Sequence, residues 1–107
     1  MAEEFVTVAK TSDIPEGEAR VVDLGGARLA LCQVEGKFYA IDDTCTHDNG
    51  PLGAGTLDGH AIICPRHGAK FDVRDGRVLQ MPAAFPVRAY NTRVVGDEIQ
   101  VDIESGD

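Results

Sequence analysis

Two pairs of cysteine and histidine are the residues of this chain best suited to chemistry. One residue separates Cys45 from His47, two residues separate Cys64 from His67, and sixteen residues lie between the two pairs. Thiolate and imidazole are metal ligands, and together they suit zinc, copper or iron–sulfur centres. The four residues therefore predict a metal site, and the rest of the 107-residue chain is its scaffold.

The division of the ligands between two loops narrows the choice of metal. Structural zinc sites usually take two cysteines from one turn and two histidines from a helix. Here each loop supplies one cysteine and one histidine, and glycines and prolines in both loops disfavour a helix. Mixed loops of this kind suit a two-iron cluster, because each loop can send its cysteine to one iron and its histidine to the other. A structural zinc site remains the alternative.

Six further residues of the two loops are expected to surround the metal. A glycine has no Cβ atom, so its backbone N–H can approach sulfide or thiolate sulfur closely. The other interpretation of each glycine is that it only makes a turn. The proline and leucine either shield the site or simply pack, and the arginine either meets a partner or is solvated. These six residues are Gly50, Pro51, Leu52, Gly53, Arg66 and Gly68.

The remaining cysteine and histidine are not expected to bind metal. Cys32 lies in an apolar run without a neighbouring histidine, which is typical of a buried core cysteine. His60 stands beside an Asp-Gly turn, so we expect it to be solvated. Outside the two loops the chain offers no Ser/His/Asp arrangement and no pair of histidines for a mononuclear iron. We therefore expect no catalytic residue.

Short apolar runs separated by turn signals predict an all-β protein. The run over 28–34 is almost continuously apolar, so we expect it to be buried on both faces. The predicted layout is a single domain: an antiparallel β-sandwich or barrel base, from residues 1–42 and 87–107, and a small inserted subdomain, residues 43–86, with the metal ligands. The expected strands cover residues 5–8, 19–24, 28–34, 38–41, 55–57, 61–63, 70–73, 77–79, 87–95 and 98–103.

The charge of the chain excludes several classes of partner. The formal net charge is -8, and an acidic protein is repelled by nucleic acid and by anionic membranes. Residues 43–86 hold five acidic and four basic side chains, so almost all the negative charge belongs to the base. The N-terminal residues lack the pattern of a secretory signal, and three cysteines make a poor disulfide framework. We expect a cytoplasmic protein.

The motif C-x-H-x16-C-x2-H, followed by glycine, resembles the Rieske 2Fe-2S motif. The likeness extends to Pro51-Leu52-Gly53, to the C-P-R-H-G box and to Phe71-Asp72, and it covers nearly the whole chain. These features are similar to those of soluble Rieske-type ferredoxins, which serve bacterial aromatic-ring and other non-haem iron oxygenases. The resemblance implies a Rieske fold and one 2Fe-2S cluster, with one iron on Cys45 and Cys64 and the other on His47 and His67.

Four positions separate this chain from Rieske proteins of the cytochrome bc type. Those proteins carry a disulfide between the two cluster loops, where this chain has Gly50 and Arg66. They also use serine and tyrosine hydroxyls to raise the reduction potential, where this chain has Ala69 and Phe71. Rieske potentials span about -150 to +300 mV. We therefore expect a value near the low end of this range.

The function that the resemblance implies is one-electron transfer without catalysis. The expected donor is a flavin-dependent ferredoxin reductase, the expected acceptor is a terminal oxygenase, and a carrier of this kind is expected to be a monomer. The alternative is a fixed small subunit of a larger enzyme, such as an assimilatory nitrite reductase.

Overall fold

The computed structural model describes residues 5–24, 27–43, 55–64, 68–80 and 86–102, and these residues form an all-β protein. One short 3-10 turn, Thr11–Asp13, follows the first strand. The predicted fold class is confirmed. The strands are β1 (Phe5–Lys10), β2 (Ala19–Leu24), β3 (Ala27–Val34), β4 (Lys37–Asp42), β5 (Thr56–Asp58), β6 (Ala61–Ile63), β7 (Lys70–Asp72), β8 (Val78–Gln80), β9 (Ala89–Tyr90), β10 (Thr92–Val95) and β11 (Glu98–Asp102).

The described strands pair in three antiparallel sheets. The first has the order β1-β11-β10 and joins the beginning of the chain to its end. The second has the order β2-β3-β4-β9, in which the first three strands form the expected meander. The third and smallest sheet has the order β5-β6-β7-β8 and lies within residues 56–80.

Strand β3 lies between two packed layers, as its apolar run predicts. Leu29 and Leu31 belong to a buried cluster with Ile99 and Val101 of the first sheet. The alternate residues, which include Cys32, belong to a second cluster that contains residues of the smallest sheet. Because side chains alternate across a strand, β3 is buried on both faces and the second sheet forms the middle layer.

The two clusters also bear on the predicted organisation of the chain. Buried Phe71 and Ile62 of the smallest sheet pack in one cluster with Cys32 and Ile41 of the second sheet. The sheet that carries the second ligand loop is therefore seated on the scaffold by shared apolar contact. The division into a base (1–42 and 87–107) and an inserted subdomain (43–86) stays a prediction.

The predicted single strand over 87–95 is wrong. The structure has two strands there, β9 and β10, and Asn91 separates them. Ala89 pairs with Ile41 in the second sheet, whereas Thr92 pairs with Val101 in the first. The chain changes sheets at Asn91, and one continuous strand cannot belong to both ladders.

The turn between β3 and β4 is held by an acidic side chain from a distant part of the sequence. Glu35 and Gly36 have φ angles of 54° and 79°, the left-handed conformation expected in a tight hairpin turn. Their backbone N–H groups donate to the two carboxylate oxygens of Glu16, at 2.6 and 2.9 Å. Glu16 thus ties the loop before β2 to the tip of the β3–β4 hairpin.

The described ranges contain no helix with the length and apolarity that a bilayer crossing would need.

Candidate metal centre

Two of the ten residues predicted at the metal site fall within the described ranges. These are Cys64, at the end of β6, and Gly68, before β7. The other eight lie outside the described residues: Cys45, His47, Gly50, Pro51, Leu52, Gly53, Arg66 and His67. The description of the second ligand loop is therefore limited to the residues at its two ends.

Cys64 occupies a buried position at the mouth of the second loop. It is 1% exposed and belongs to the same apolar cluster as Ile62 and Phe71. Its backbone N–H donates to the carbonyl oxygen of Ala69 at 2.7 Å, and its carbonyl oxygen accepts the N–H of Gly68 at 3.1 Å. These two bonds join Cys64 to Gly68 and Ala69, the described residues at the two ends of the second ligand loop. Cys64 directly follows a strand and is fixed by two backbone hydrogen bonds, which holds it in place as a metal ligand needs to be.

Gly68 has a backbone conformation that explains its residue type. Its φ angle is +79°, in the left-handed region where a residue with a Cβ atom is strained. A Cβ atom built on Gly68 meets no described atom within 4 Å, so the backbone angle and not crowding demands glycine. The turn-making interpretation of this glycine is supported by its φ angle.

The surroundings of Cys64 are apolar. Ala69 and Phe71 are both fully buried. They stand where Rieske proteins of the cytochrome bc type carry serine and tyrosine hydroxyl groups. Their side chains present carbon and no hydrogen-bond donor to the neighbourhood of the thiol. A sulfur ligand in this position is shielded from water on the side of the described core.

The chain enters the first ligand loop from two anchored aspartates. The N–H of Asp42 donates to Arg88 O at 2.9 Å, and the Asp42 carboxylate accepts the Tyr90 hydroxyl at 2.8 Å. Burial, followed by this hydrogen bond, raises the pKa of Tyr90. Asp43 is buried, donates its N–H to Arg28 O at 3.1 Å and lies 3.8 Å from the Arg28 guanidinium. The chain is therefore anchored to β3 and β9 just before the first loop. The sequence shows two adjacent aspartates here but does not reveal these contacts.

The end of the smallest sheet opposite the ligand loop is organised by one buried carboxylate. Asp72 is 2% exposed, and its oxygens accept Arg74 N, Nε and Nη2 at 2.9, 3.0 and 2.8 Å and Arg77 Nη2 at 3.3 Å. The hydrogen bonds from Arg74 are the largest cause that lowers the pKa of Asp72 from 3.8 to about 2. This carboxylate, which belongs to the Phe71-Asp72 pair of the family likeness but had no role assigned from sequence, fixes the turn between β7 and β8.

The same turn also contacts the segment that precedes β9, where the chain returns to the second sheet. Gly76 has a φ of +80°, and a Cβ atom there would lie 2.0 Å from the carbonyl oxygen of Val87. The N–H of Val87 donates to the Gly76 carbonyl at 3.0 Å. This close backbone approach requires glycine and joins the smallest sheet to the segment that leads into β9.

His60 and Cys32 were both expected to lie outside the metal site. The ring of His60 is half-buried and meets Tyr39 edge to face, with centroids 5.8 Å apart and planes at 81°. His60 is therefore only partly solvated, because its ring also packs against Tyr39 of β4. Cys32 is fully buried and free, and burial raises the pKa of its thiol to about 12, which confirms a core role.

The model of one protein family, described as the Rieske [2Fe-2S] domain, matches residues 4–91 of this chain. The chain belongs to the Rieske [2Fe-2S] family. The match runs from β1 to the end of β9 and includes both predicted ligand pairs. The family resemblance of the sequence is thus confirmed.

Relatives of this Rieske protein match along nearly its whole length. The ferredoxin component of a naphthalene 1,2-dioxygenase system from Pseudomonas aeruginosa is 36% identical over 103 residues, which cover 96% of this chain and 99% of the relative. The ferredoxin component of biphenyl 2,3-dioxygenase from Rhodococcus jostii is 34% identical over 99 residues and 92% of each chain. Both are components of multicomponent dioxygenases by name.

Solved structures of similar proteins have the same fold. The ferredoxin of carbazole 1,9a-dioxygenase from Nocardioides aromaticivorans superposes with a TM-score of 0.88 at 33% identity, over 92% of this chain and 96% of that one. A chain in a complex of reduced oxygenase and oxidized ferredoxin from a carbazole 1,9a-dioxygenase gives 0.86 at 37% identity, over 94% of each chain. A nitrite reductase NADPH small subunit gives 0.80 at 17% identity, over 92% and 97%, and this shows the fold alone.

This Rieske protein carries one Rieske-type 2Fe-2S cluster and is an electron-transfer component without catalytic activity of its own. The described part of the site fits that group. Cys64 places a thiol in a buried, apolar position, and its backbone is hydrogen-bonded to Gly68 and Ala69 at the other end of the loop. The sequence supplies a second cysteine and two histidines in the same pair of loops, which is the two-thiolate, two-imidazole set of a Rieske centre.

Proposed function

We propose that this protein passes single electrons from a flavin-dependent ferredoxin reductase to the terminal oxygenase of a ring-hydroxylating dioxygenase system. The observation that carries the proposal is the end-to-end match to a dioxygenase ferredoxin component, with 96% of this chain and 99% of the relative aligned. The relative has no additional domain, so the shared unit is the carrier itself. The solved complex of an oxygenase with a ferredoxin 37% identical to this chain supports the choice of acceptor.

The proposed ligands are Cys45 and Cys64 on one iron and His47 and His67 on the other. The bound cluster takes up and releases one electron at a time. The protein's part is to hold the ligands with little movement, and the backbone hydrogen bonds of Cys64 to Gly68 and Ala69 support this role at one of them. The proposed surroundings of the cluster are Gly50, Pro51, Leu52, Gly53, Arg66 and Gly68.

The proposed reduction potential is low for a Rieske centre. Hydrogen bonds to cluster sulfur stabilise the more negative, reduced state and so raise the potential. Ala69 and Phe71 are fully buried and carry no hydroxyl group that could form such bonds. Protein-film voltammetry near neutral pH is expected to give a negative midpoint, and a clearly positive one contradicts the proposal.

Electron delivery is tested with purified components. The protein is reduced by a flavin-dependent ferredoxin reductase and mixed in a stopped-flow instrument with an oxidised naphthalene or biphenyl dioxygenase. Loss of the reduced-cluster spectrum with single-turnover product is the expected result. A protein that shows a Rieske spectrum but exchanges no electron with any such oxygenase contradicts the proposed acceptor.

Size-exclusion chromatography separates a carrier from a fixed subunit. We propose a cytoplasmic monomer, in keeping with a diffusible carrier and with a free, buried Cys32. The expected elution volume is that of an 11.4 kDa chain. Elution in a stable complex with a nitrite reductase large subunit favours the alternative of a fixed subunit.

A further inference from the structure

One side chain reaches from the edge of the smallest sheet to the second ligand loop. Gln80 is the last residue of β8, and its side-chain Nε2 donates to the carbonyl oxygen of Gly68 at 3.0 Å. The backbone of Gln80 pairs with Lys70, and the β7–β8 register is irregular next to this pair. The side-chain bond thus braces a point at which the regular ladder ends.

The peptide that accepts this bond is held from several sides. The N–H of Gly68 donates to Cys64 O at 3.1 Å, and the carbonyl of the next residue, Ala69, accepts the N–H of Cys64 at 2.7 Å. The Gly68 carbonyl and the Ala69 N–H belong to one planar peptide unit. When Gln80 fixes the carbonyl, it also fixes the direction of that N–H.

The bond lies at a junction of two segments. Gly68 directly follows His67, and Gln80 directly precedes residues 81–85, which connect β8 to the strand β9. Gln80 is exposed, and its neighbour Leu79 is 46% exposed, so the bond to the Gly68 carbonyl lies at the surface.

We propose that Gln80 is a positioning residue for the 2Fe-2S cluster, acting through the Gly68 carbonyl on the backbone that follows His67. This inference rests on the ligand set proposed above. Its role is to hold the Gly68–Ala69 peptide in place, so its loss speeds the release of the cluster.

Three substitutions separate the hydrogen bond from charge. Gln80→Leu removes the donor without adding charge. Gln80→Glu keeps the length and places a carboxylate acceptor against the carbonyl, while Gln80→Lys restores a donor with the opposite charge. The half-life of the visible Rieske absorption is measured in the presence of a chelator at fixed pH.

We expect the leucine and glutamate variants to lose the cluster roughly two- to tenfold faster than wild type, the effect of one net hydrogen bond on the rate of cluster release. The lysine variant is expected to stay within about twofold of wild type, again within the energy of one such bond. Amide hydrogen exchange at Gly68 is expected to accelerate in the leucine and glutamate variants and not in the lysine variant.

Gln100→Leu is the matched control. Gln100 is also a strand glutamine with side-chain bonds, to Thr7 and Arg93, but it lies on β11 in another sheet. This variant is expected to keep the wild-type half-life.

The inference is overturned if Gln80→Leu retains the cluster as long as wild type, or if Gln100→Leu loses it equally fast. It is also overturned if the glutamate and lysine variants shift in opposite directions around an unchanged leucine variant, because charge alone then explains the effect. Failure of the ligand set is distinguishable, since the wild-type protein itself then lacks a Rieske spectrum.

Discussion

Replacement of Asp72 by asparagine tests how much of the stability of this protein resides in one buried carboxylate. Asparagine has nearly the same shape and keeps one oxygen that can accept the N–H of Arg74. It removes the negative charge and places an NH₂ donor where an oxygen accepted Arg74 Nη2 and Arg77 Nη2, at 2.8 and 3.3 Å in the wild type. The variant therefore sets donors against donors at a position that is 2% exposed.

The magnitude follows from the pKa of the carboxyl group. A fall from 3.8 to about 2 means that folding favours the ionised form of Asp72. This corresponds to about 2 kcal/mol in the free energy of unfolding. Because both arginine side chains are more than half exposed, solvent screens part of their charge, and we expect a loss of about 1 to 2 kcal/mol. For a domain of about this size, that loss lowers the melting temperature by roughly 4 to 16 °C.

The sign of the pH dependence is also determined. Because the folded state lowers this pKa, the contribution is complete above the ordinary value of 3.8 and disappears as pH falls through about 2. The difference in stability between wild type and variant is therefore expected to stay constant from about pH 5 to pH 8, where the carboxylate is ionised in both folded and unfolded chains.

The assay is urea unfolding of the cluster-loaded protein, followed by far-ultraviolet circular dichroism and by the visible absorption of the cluster. Asp75→Asn is the matched control, since Asp75 is an exposed carboxylate in the same turn that accepts the backbone N–H of Arg77 at 3.0 Å. Asparagine can keep that bond, so we expect a change below about 0.5 kcal/mol. Equal midpoints for wild type and Asp72→Asn, or a gap that closes between pH 8 and pH 5, refute the reasoning.

Three further predictions concern other positions, and the first of them has a control substitution. Gly76→Ala is expected to lower the free energy of unfolding by more than about 2 kcal/mol, because its Cβ would lie 2.0 Å from Val87 O. The control Gly59→Ala, also at positive φ but in open space, is expected to lower it by about 1 kcal/mol. Equal urea midpoints for the two variants contradict this prediction. Ala69→Ser adds a hydroxyl group, and one hydrogen bond from it to the cluster is worth about 1 kcal/mol, which for one electron is roughly 40 mV. Voltammetry is therefore expected to give a midpoint potential higher by this amount. An unchanged or lower potential contradicts the view that the absent hydroxyl keeps the potential low. Glu16→Gln, which weakens two bonds to the β3–β4 turn, is expected to lower stability by about 1 kcal/mol in the same urea assay, and unchanged stability shows that the turn holds without the charge.

Much of the fold was predictable because it depends on local patterns. The alternation and turn signals along residues 19–41 predict the β2-β3-β4 meander, and the unbroken apolar run of β3 predicts burial on both faces. The core position of Cys32 follows from the same run. By contrast, the change of sheet at Asn91 was not predicted. It depends on which distant strands have free edges for pairing, and the local pattern of residues 87–95 does not specify those strands.

What the sequence indicated by itself is the family and the proposed set of ligands. Two thiols and two imidazoles in glycine-rich loops define the family, since ligand type and spacing are properties of residue order. The tertiary structure decided how that centre is supported. Asp72 meets Arg74 and Arg77 only when a turn brings them together, and Gln80 reaches Gly68 only across a sheet edge. Such contacts depend on the direction of side chains in the folded chain, which no local spacing specifies.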